Sequence, residues 1–397
     1  MSSKTKFAIH TLGCRANQYQ SFGLVNLQLT TNNEQLVEFG EPADVYIINT
    51  CTVTADADKK SRNAIRRALK LAKKVIVTGC YARLKGKELK ELFPEIHLTP
   101  SPPIDLTTYQ PLPAGRQGNY LTPKIRENLM IEDGCDNFCS YCIVPYARGK
   151  VQRKSAANIL KEAKAMVEAG VREIVLTGIN LGAWGELSPL LTKMSEIENL
   201  ARIRLSSIEP QYVSDKLLQT IVENKKVCRH LHIPLQSGDD FILNAMNRQY
   251  LTKDYLKLIE KINNLIPDCG ITTDIIVGFP GEGEAEFRNT VDFLEKARFS
   301  RIHIFTFSRR DLTAASNFPY QVDAKTKKER YAILNKLRSK YMERFAEKYL
   351  GKEVEILVEQ KGEGLTSNYI RVRFDDPIDS SGKLCKMFIK QDNIILD

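Results

Sequence analysis

Three cysteines fall within eight residues in the segment Cys135-Asp-Asn-Phe-Cys139-Ser-Tyr-Cys142. Thiolates are soft ligands that suit zinc or an iron–sulfur cluster. A structural zinc site takes four protein ligands, and no fourth cysteine or histidine follows nearby. Ferredoxin runs space their cysteines differently and end in Cys-Pro. Three thiolates can instead hold three irons of a cubane and leave the fourth without a protein ligand. Such an open iron can chelate the amino and carboxylate groups of a small molecule. The spacing therefore favours redox or radical chemistry over a closed structural site.

A second set of three is dispersed. KFAIHTLGC (6–14), ADVYIINTC (43–51) and KKVIVTGC (73–80) are short apolar strands that each end on a cysteine, with helical segments between them. Strands alternating with helices imply parallel βαβ units. In a parallel sheet the strand C-termini lie along one edge, where open α/β domains bind ligands. Cys14, Cys51 and Cys80 are expected to meet there. A lone cysteine on a buried strand is usually core, but three at equivalent strand ends favour a ligand set. The five histidines form no ligand pair at helical spacing, and Cys228, Cys269 and Cys385 are isolated.

These residues need a scaffold of several parts. The chain has 397 residues, 43% hydrophobic and 27% charged, which suits two or three globular domains. We read 4–98 as the domain holding the dispersed cysteines. A linker at 99–120 has five prolines and no apolar period. Residues 121–323 contain strand-like runs at 127–133, 172–178, 202–208, 230–236, 272–278 and 301–307, separated by helical patterns. Six βα units fit a parallel barrel or partial barrel whose site lies at the strand C-termini. Cys135, Asn180, Glu209, Gln236 with Ser237, Gly278, and Arg309 with Arg310 all fall just past those ends. The stretch from Gly278 to Gly283 lacks the lysine of a phosphate loop. A charged connecting helix at 324–350 leads to a small β domain at 351–397, with strands expected at 353–360, 369–375, 386–391 and 393–397.

The net charge is +10 and the pI about 9.0. That balance suits a polyanionic partner such as RNA, and equally a soluble basic protein. The run Lys59–Lys74 has eight Lys or Arg and no acid. Lys59, Arg62, Arg66, Lys70 and Lys73 recur at helical spacing, as a solvated face or as a phosphate-tracking stripe. Tyr369, Arg371 and Arg373 on a C-terminal strand are further candidates for RNA contact. No apolar run is long enough for a membrane span, and the N-terminus lacks a secretory h-region. A cytoplasmic location is expected.

The cysteine loop, just after a first barrel strand, resembles the radical S-adenosylmethionine (SAM) superfamily. GCDNFCSYCIVPYARGK (134–150) together with HTLGCRANQYQS (10–21), NTCTVTADADKKSR (49–62) and TGCYAR (78–83) is similar to its methylthiotransferase family over nearly the whole chain. The resemblance implies an N-terminal cluster domain, a partial (βα)6 TIM-like barrel and a small TRAM-like C-terminal β-barrel that binds RNA. It implies one 4Fe–4S cluster on Cys135, Cys139 and Cys142 that binds SAM, and a second on Cys14, Cys51 and Cys80 that carries the sulfur to be transferred. The loops at Asn180, Ser207 with Glu209, Gln236 with Ser237, and Gly278 resemble the family's cofactor-contacting loops.

His10-Thr-Leu-Gly-Cys14, Asn17-Gln18-Tyr19 and Asn49-Thr-Cys51-Thr-Val-Thr54 look most like the branch acting on threonylcarbamoyladenosine in tRNA. Sister branches act on isopentenyladenosine or on a ribosomal-protein aspartate. The sequence departs from the family pattern at Leu312, Trp184 and Arg83, where glycine, tyrosine and glutamine are usual. The implied reaction takes an electron from reduced flavodoxin or ferredoxin, breaks SAM to a 5′-deoxyadenosyl radical, removes hydrogen from C2 of the adenine beside the anticodon and delivers a methylthio group. A sulfur donor and a tRNA substrate are the implied partners. A rival is an iron–sulfur RNA-binding module without catalysis, and the polar strand ends of the barrel argue against it.

Overall fold

A computed structural model describes residues 4–28, 34–99, 124–376 and 378–396. All of the expected linker except Thr99 lies outside the described residues.

The chain opens with β1 (Thr5–Thr11), α1 (Arg15–Gln28), β2 (Glu34–Leu36), β3 (Ala43–Thr50), α2 (Ala55–Leu69), β4 (Ala72–Gly79), α3 (Cys80–Leu92) and β5 (His97–Leu98). The strands form one parallel sheet in the order β2-β1-β3-β4-β5. Its central strand β3 buries Tyr46 and Ile48 completely, beneath Ile65 and Ala68 of α2. Thr54 caps α2, its hydroxyl accepting from the Ala57 amide at 3.1 Å. The edge strands β2 and β5 were not expected, because three and two residues are too short to show a period. Gly79 turns β4 into α3 with φ +91°, and a Cβ there would sit 2.4 Å from the Thr50 carbonyl oxygen.

The second unit runs β6 (Arg126–Met130), β7 (Glu132–Asp133), α4 (Val144–Arg148), β8 (Gln152–Arg153), α5 (Ala156–Glu168), β9 (Glu173–Thr177), α6 (Leu187–Ser195), β10 (Arg202–Leu205), α7 (Asp215–Glu223), β11 (His230–His232), α8 (Asp240–Ala245), α9 (Thr252–Leu265), β12 (Gly270–Val277), α10 (Glu284–Ala297) and β13 (Arg301–Thr306). Two parallel three-stranded sheets, β6-β9-β10 and β11-β12-β13, are joined by parallel bridges at Ile203–Val227 and Ser207–His232. Six parallel strands result, each followed by helix, as the expected alternation requires. Leu129, Ile174, Leu176, Ile203, Leu231 and Ile275 fill the core. Burial of each such side chain contributes ~1.5–3 kcal/mol.

Among the described residues β6 and β13 share no ladder, so the barrel has an open flank. The N-terminal domain spans it. On the β6 side, Tyr19 of α1 meets Glu162 of α5 and the Lys154 ammonium, which is 2.6 Å from the Tyr19 hydroxyl. On the β13 side, Arg310 donates to Thr52 at 2.7 Å and Asp58 at 2.8 Å, and the Ala55 amide donates to Ser308 at 3.0 Å.

Helix α11 (Ala324–Glu347) leads to β14 (Glu353–Gln360), β15 (Glu363–Thr366), β16 (Arg371–Arg373), β17 (Leu384–Phe388) and β18 (Ile394–Ile395), an antiparallel sheet in the order β17-β14-β15-β16-β18. β15 went unread because its glycine-, serine- and asparagine-rich surroundings look like turn. This sheet sits against the N-terminal ends of the barrel strands. Arg202 donates to the Leu365 carbonyl at 2.5 Å, Arg204 to Ser367 at 2.9 Å, and Asn368 to the Asp268 carbonyl at 3.1 Å. Among the described residues no helix is long and apolar enough to cross a membrane.

Candidate functional site

The loop from 134 to 151 is pinched at its base by the antiparallel β7–β8 ribbon. Gly134 has φ +87°, and a Cβ there would lie 2.2 Å from the Lys150 carbonyl oxygen. Within the loop, the Cys135 amide donates to Gly149 at 3.1 Å and the Cys142 amide to Cys139 at 2.9 Å. Ser140 ties it to the end of α8, its amide donating to Met246 at 3.1 Å and its hydroxyl to Ala245 at 2.7 Å. Burial raises the Cys135 thiol to about 11 and the Cys142 thiol to about 12. Metal loading must therefore displace protons here. Arg248 donates to the Cys139 sulfur at 3.3 Å and to Glu209, and its Nε donates to the Tyr250 hydroxyl at 2.9 Å.

Beside this loop, at the ends of β7 and β9, stands an unmatched polar pair. Glu132 accepts the Asn180 amide at 2.7 Å through Oε2, while its Oε1 and the Asn180 side-chain oxygen are buried without a hydrogen-bond partner. Burial raises the Glu132 carboxyl to about 7. Two buried acceptors left unsatisfied are costly unless a ligand completes them. Their chemistry suits the ammonium of an amino acid, so the donor set fits a cluster whose open iron and neighbours bind SAM together.

The dispersed cysteines converge. Cys14 is exposed, Cys51 and Cys80 are buried, and a Cβ on Gly13 would fall 2.8 Å from the Cys51 sulfur. Burial raises the Cys51 thiol to about 11, with further upward pushes from Cys80 and Cys14. Asn17 fixes the turn after β1, donating to the Leu12 and Thr50 carbonyls at 2.7 and 3.0 Å. Each thiolate of a cubane takes its own iron, so the sulfurs need not meet at one point; among the described residues no three His, Cys, Asp or Glu side chains do. The two triplets adjoin one another through Arg148 of α4. It donates to Asp133 at 2.7 Å and to Asn17, and its charge lies close enough to Cys80 to act on that thiol.

Residues 130–294 match the model of the radical SAM superfamily, and residues 6–99 that of the uncharacterized protein family UPF0004. The threonylcarbamoyladenosine tRNA methylthiotransferase MtaB of Bacillus subtilis is 34% identical, over 96% of this chain and 93% of that protein. Its Aquifex aeolicus namesake is 36% identical, over 97% of this chain and 100% of that one. This chain belongs to the radical SAM methylthiotransferases. A relative of another branch, the tRNA-2-methylthio-N(6)-dimethylallyladenosine synthase of Endomicrobium trichonymphae, is 33% identical over 98% of both chains. Among solved structures, the radical SAM methyltransferase TsrM from Kitasatospora setae, with cobalamin and a [4Fe-4S] cluster bound, superposes with a TM-score of 0.59. At 13% identity over 79% of this chain and 77% of that one, it shares the fold.

Within this methylthiotransferase, the residues singled out from the sequence do not all stand at the site. Asn180 and Glu209 lie beside the Cys135–Cys142 loop, through Glu132 and Arg248 respectively. Ser207 forms a backbone bridge with His232, and Gln236, with φ +73°, one with Ile275. The Ser237 hydroxyl is engaged with Thr290 at 3.3 Å and with the Asp239 amide at 3.3 Å, which makes it a loop brace. The Gly278 amide donates to Glu282 at 2.8 Å, and Arg330 of α11 holds that carboxylate. Trp184 donates to the Lys154 carbonyl at 2.8 Å, Leu312 is exposed, and Arg83 stands one turn beyond Cys80 on α3.

Lys59 and Arg66 are exposed on α2, Arg62 bonds the Tyr81 hydroxyl at 2.7 Å, and Lys70 caps the helix. Lys73 corrects the expected stripe. It lies on β4 and pairs with Asp44 at 2.8 Å, because the helix ends at Leu69. Tyr369 is a second correction. Its ring stacks on His230 at 4.5 Å and lies under Arg204, so it faces the barrel floor rather than an RNA surface. Arg371 pairs with Glu359 and Arg373 with Glu363, each at 3.1 Å.

Glu132, Arg148 and Arg248 went unread, and Arg310, expected at the end of the last barrel strand, instead pairs with the N-terminal domain through Asp58. Glu132 is hidden inside an apolar strand run, and each arginine has a partner far along the chain: Asn17 for Arg148, Cys139 for Arg248 and Asp58 for Arg310. The sequence signals are slight: Arg148 lies six positions after Cys142, and Arg310 follows the last barrel strand.

Proposed function

We propose that the chain places a methylthio group on C2 of N6-threonylcarbamoyladenosine at position 37 of tRNA, next to the anticodon. The adjoining of two three-cysteine sets across Arg148 carries this reading, together with the MtaB names of its Bacillus, Aquifex, Thermotoga and Chlamydia relatives. Cys135, Cys139 and Cys142 would hold one 4Fe–4S cluster, and Cys14, Cys51 and Cys80 the other. When bound, the first supplies the electron that breaks SAM to a 5′-deoxyadenosyl radical, and the second brings the sulfur.

The protein's own residues do the rest. Glu132 and Asn180 receive the SAM ammonium. Arg248 holds the Cys139 sulfur and fixes Glu209. The N-terminal domain closes the open barrel flank, which keeps water from a reactive radical and confines it to one base. Lys59, Arg66 and Lys70 on α2 would follow tRNA phosphates, and an extruded base would enter between the cysteine sets. A reduced flavodoxin or ferredoxin, a sulfur donor and a cytoplasmic location complete the proposal.

Nucleoside analysis of tRNA from cells lacking this gene tests the branch. Loss of the 2-methylthio form of threonylcarbamoyladenosine supports the assignment. Unchanged levels of it, with loss of a methylthio-dimethylallyladenosine instead, would favour the sister activity, to which the 33% identity with the Endomicrobium synthase points.

A further inference from the structure

Two arginines stand beside cluster-site cysteines, and they differ in what else they touch. Arg248 reaches Cys139 and otherwise contacts groups of the same barrel: Glu209, Tyr250 and Tyr141. Arg148 reaches across domains. From α4, six residues after Cys142, it donates to Asp133 on its own side and to Asn17 on the other, which brings the guanidinium beside Cys80. Its side chain is 2% exposed and that of Asp133 10%. Its neighbour Gly149 accepts the Cys135 amide at 3.1 Å, so one short helix end braces a ligand of each set.

The one charged partner it bonds is shared with other donors. Asp133 supplies one negative charge, and it already accepts the Gly134 amide at 2.9 Å and lies 3.5 Å from the Gln20 amide nitrogen. Asn17 is neutral. The guanidinium also lies close enough to Cys80 to act on it, and a cation beside a ligand sulfur stabilises the more negative state of the group bound there.

We infer that Arg148 is a positioning residue that holds the second cluster at a fixed separation from the SAM-cleaving site and makes it easier to reduce. The inference rests on the two-cluster reading proposed above. It assigns Arg148 two separable effects: its charge sets the potential, and its fork, spanning Asp133 and Asn17, sets the distance. Lysine keeps the charge but is a point donor that cannot bridge both partners.

The test uses the full chain, reconstituted anaerobically, as the parent, Arg148→Gln and Arg148→Lys. A background with Cys135, Cys139 and Cys142 all changed to Ala isolates the second cluster for a reductive titration followed by electron paramagnetic resonance. In that background Arg148→Gln is expected to move the midpoint to more negative potential, and Arg148→Lys to leave it near the parent's. With all six cysteines present, both variants are expected to lower the ratio of methylthio product to 5′-deoxyadenosine by about tenfold or more, because misplacement by an ångström uncouples transfer from radical formation. A parental midpoint in Arg148→Gln, or a parental ratio in both variants, overturns the inference. If Arg148→Gln does not fold, Arg148→Lys decides, since a parental ratio there overturns it. If the parent makes no methylthio product at all, the functional reading fails, while the midpoint comparison still decides whether Arg148 acts on the cluster.

Discussion

Replacing Glu132 by Gln is the sharpest probe of the SAM-binding pair. The change preserves shape and keeps an oxygen for the Asn180 amide, whose present distance is 2.7 Å. It removes the charge from a carboxylate whose second oxygen is buried and unpartnered. A hydrogen bond to a charged partner contributes ~1.5–3 kcal/mol. At ~1.4 kcal/mol per factor of ten, SAM should bind about 10- to 100-fold more weakly to Glu132→Gln. Isothermal titration of cluster-loaded protein with SAM measures this directly. The pH dependence follows from the same group. Burial raises its carboxyl to about 7, so the acceptor is increasingly protonated below neutrality. SAM affinity of the parent should rise as pH increases through about 7 and be flatter in the variant. Unchanged affinity in Glu132→Gln would refute the assignment of this pair to the ligand ammonium.

Three further outcomes are expected. Arg310→Ala leaves Asp58 buried beside Thr52 without its cation, and loss of one partner of a buried pair costs about 3–5 kcal/mol; chemical denaturation should show the loss, and faster proteolysis should show the N-terminal domain loosened from the barrel. Gly178→Ala puts a Cβ 2.6 Å from Glu132 Oε2, so it should weaken SAM binding at least as much as Glu132→Gln, with little effect on the N-terminal domain. Glu162→Gln strips the countercharge from Lys154, which sits 2.5 Å away with a 1% exposed side chain, and should lower the melting temperature by several degrees in differential scanning calorimetry.

The strands were legible because apolar runs and helical periods are local signals. Cys14, Cys51 and Cys80 could be brought together from topology alone, since parallel strands must end on one edge. Tyr369 shows where such reading fails. Its alternating neighbours Ile370 and Val372 are buried as a strand predicts, yet Tyr369 itself has φ +77° and turns onto His230. That orientation depends on how the C-terminal sheet docks, which no local pattern encodes. Lys73 fails for a related reason, because the helical spacing continues through the sequence after the helix has stopped. Arg148 ends the short helix α4 and Arg310 lies in a loop after β13, so neither belongs to a long periodic pattern. Their pairings become visible only once the N-terminal domain is seen across the open barrel flank.

The central claim is that one cysteine set makes the radical and the other brings the sulfur. It is tested most directly by incubating anaerobically reconstituted parent and Cys80→Ala chains with SAM, a reductant and tRNA carrying threonylcarbamoyladenosine, then measuring 5′-deoxyadenosine and modified nucleosides together by mass spectrometry. The parent should form both 5′-deoxyadenosine and the methylthio nucleoside, and Cys80→Ala should form 5′-deoxyadenosine without the methylthio nucleoside. Methylthio product from Cys80→Ala at the parent's level, or no 5′-deoxyadenosine from the parent, would contradict the account.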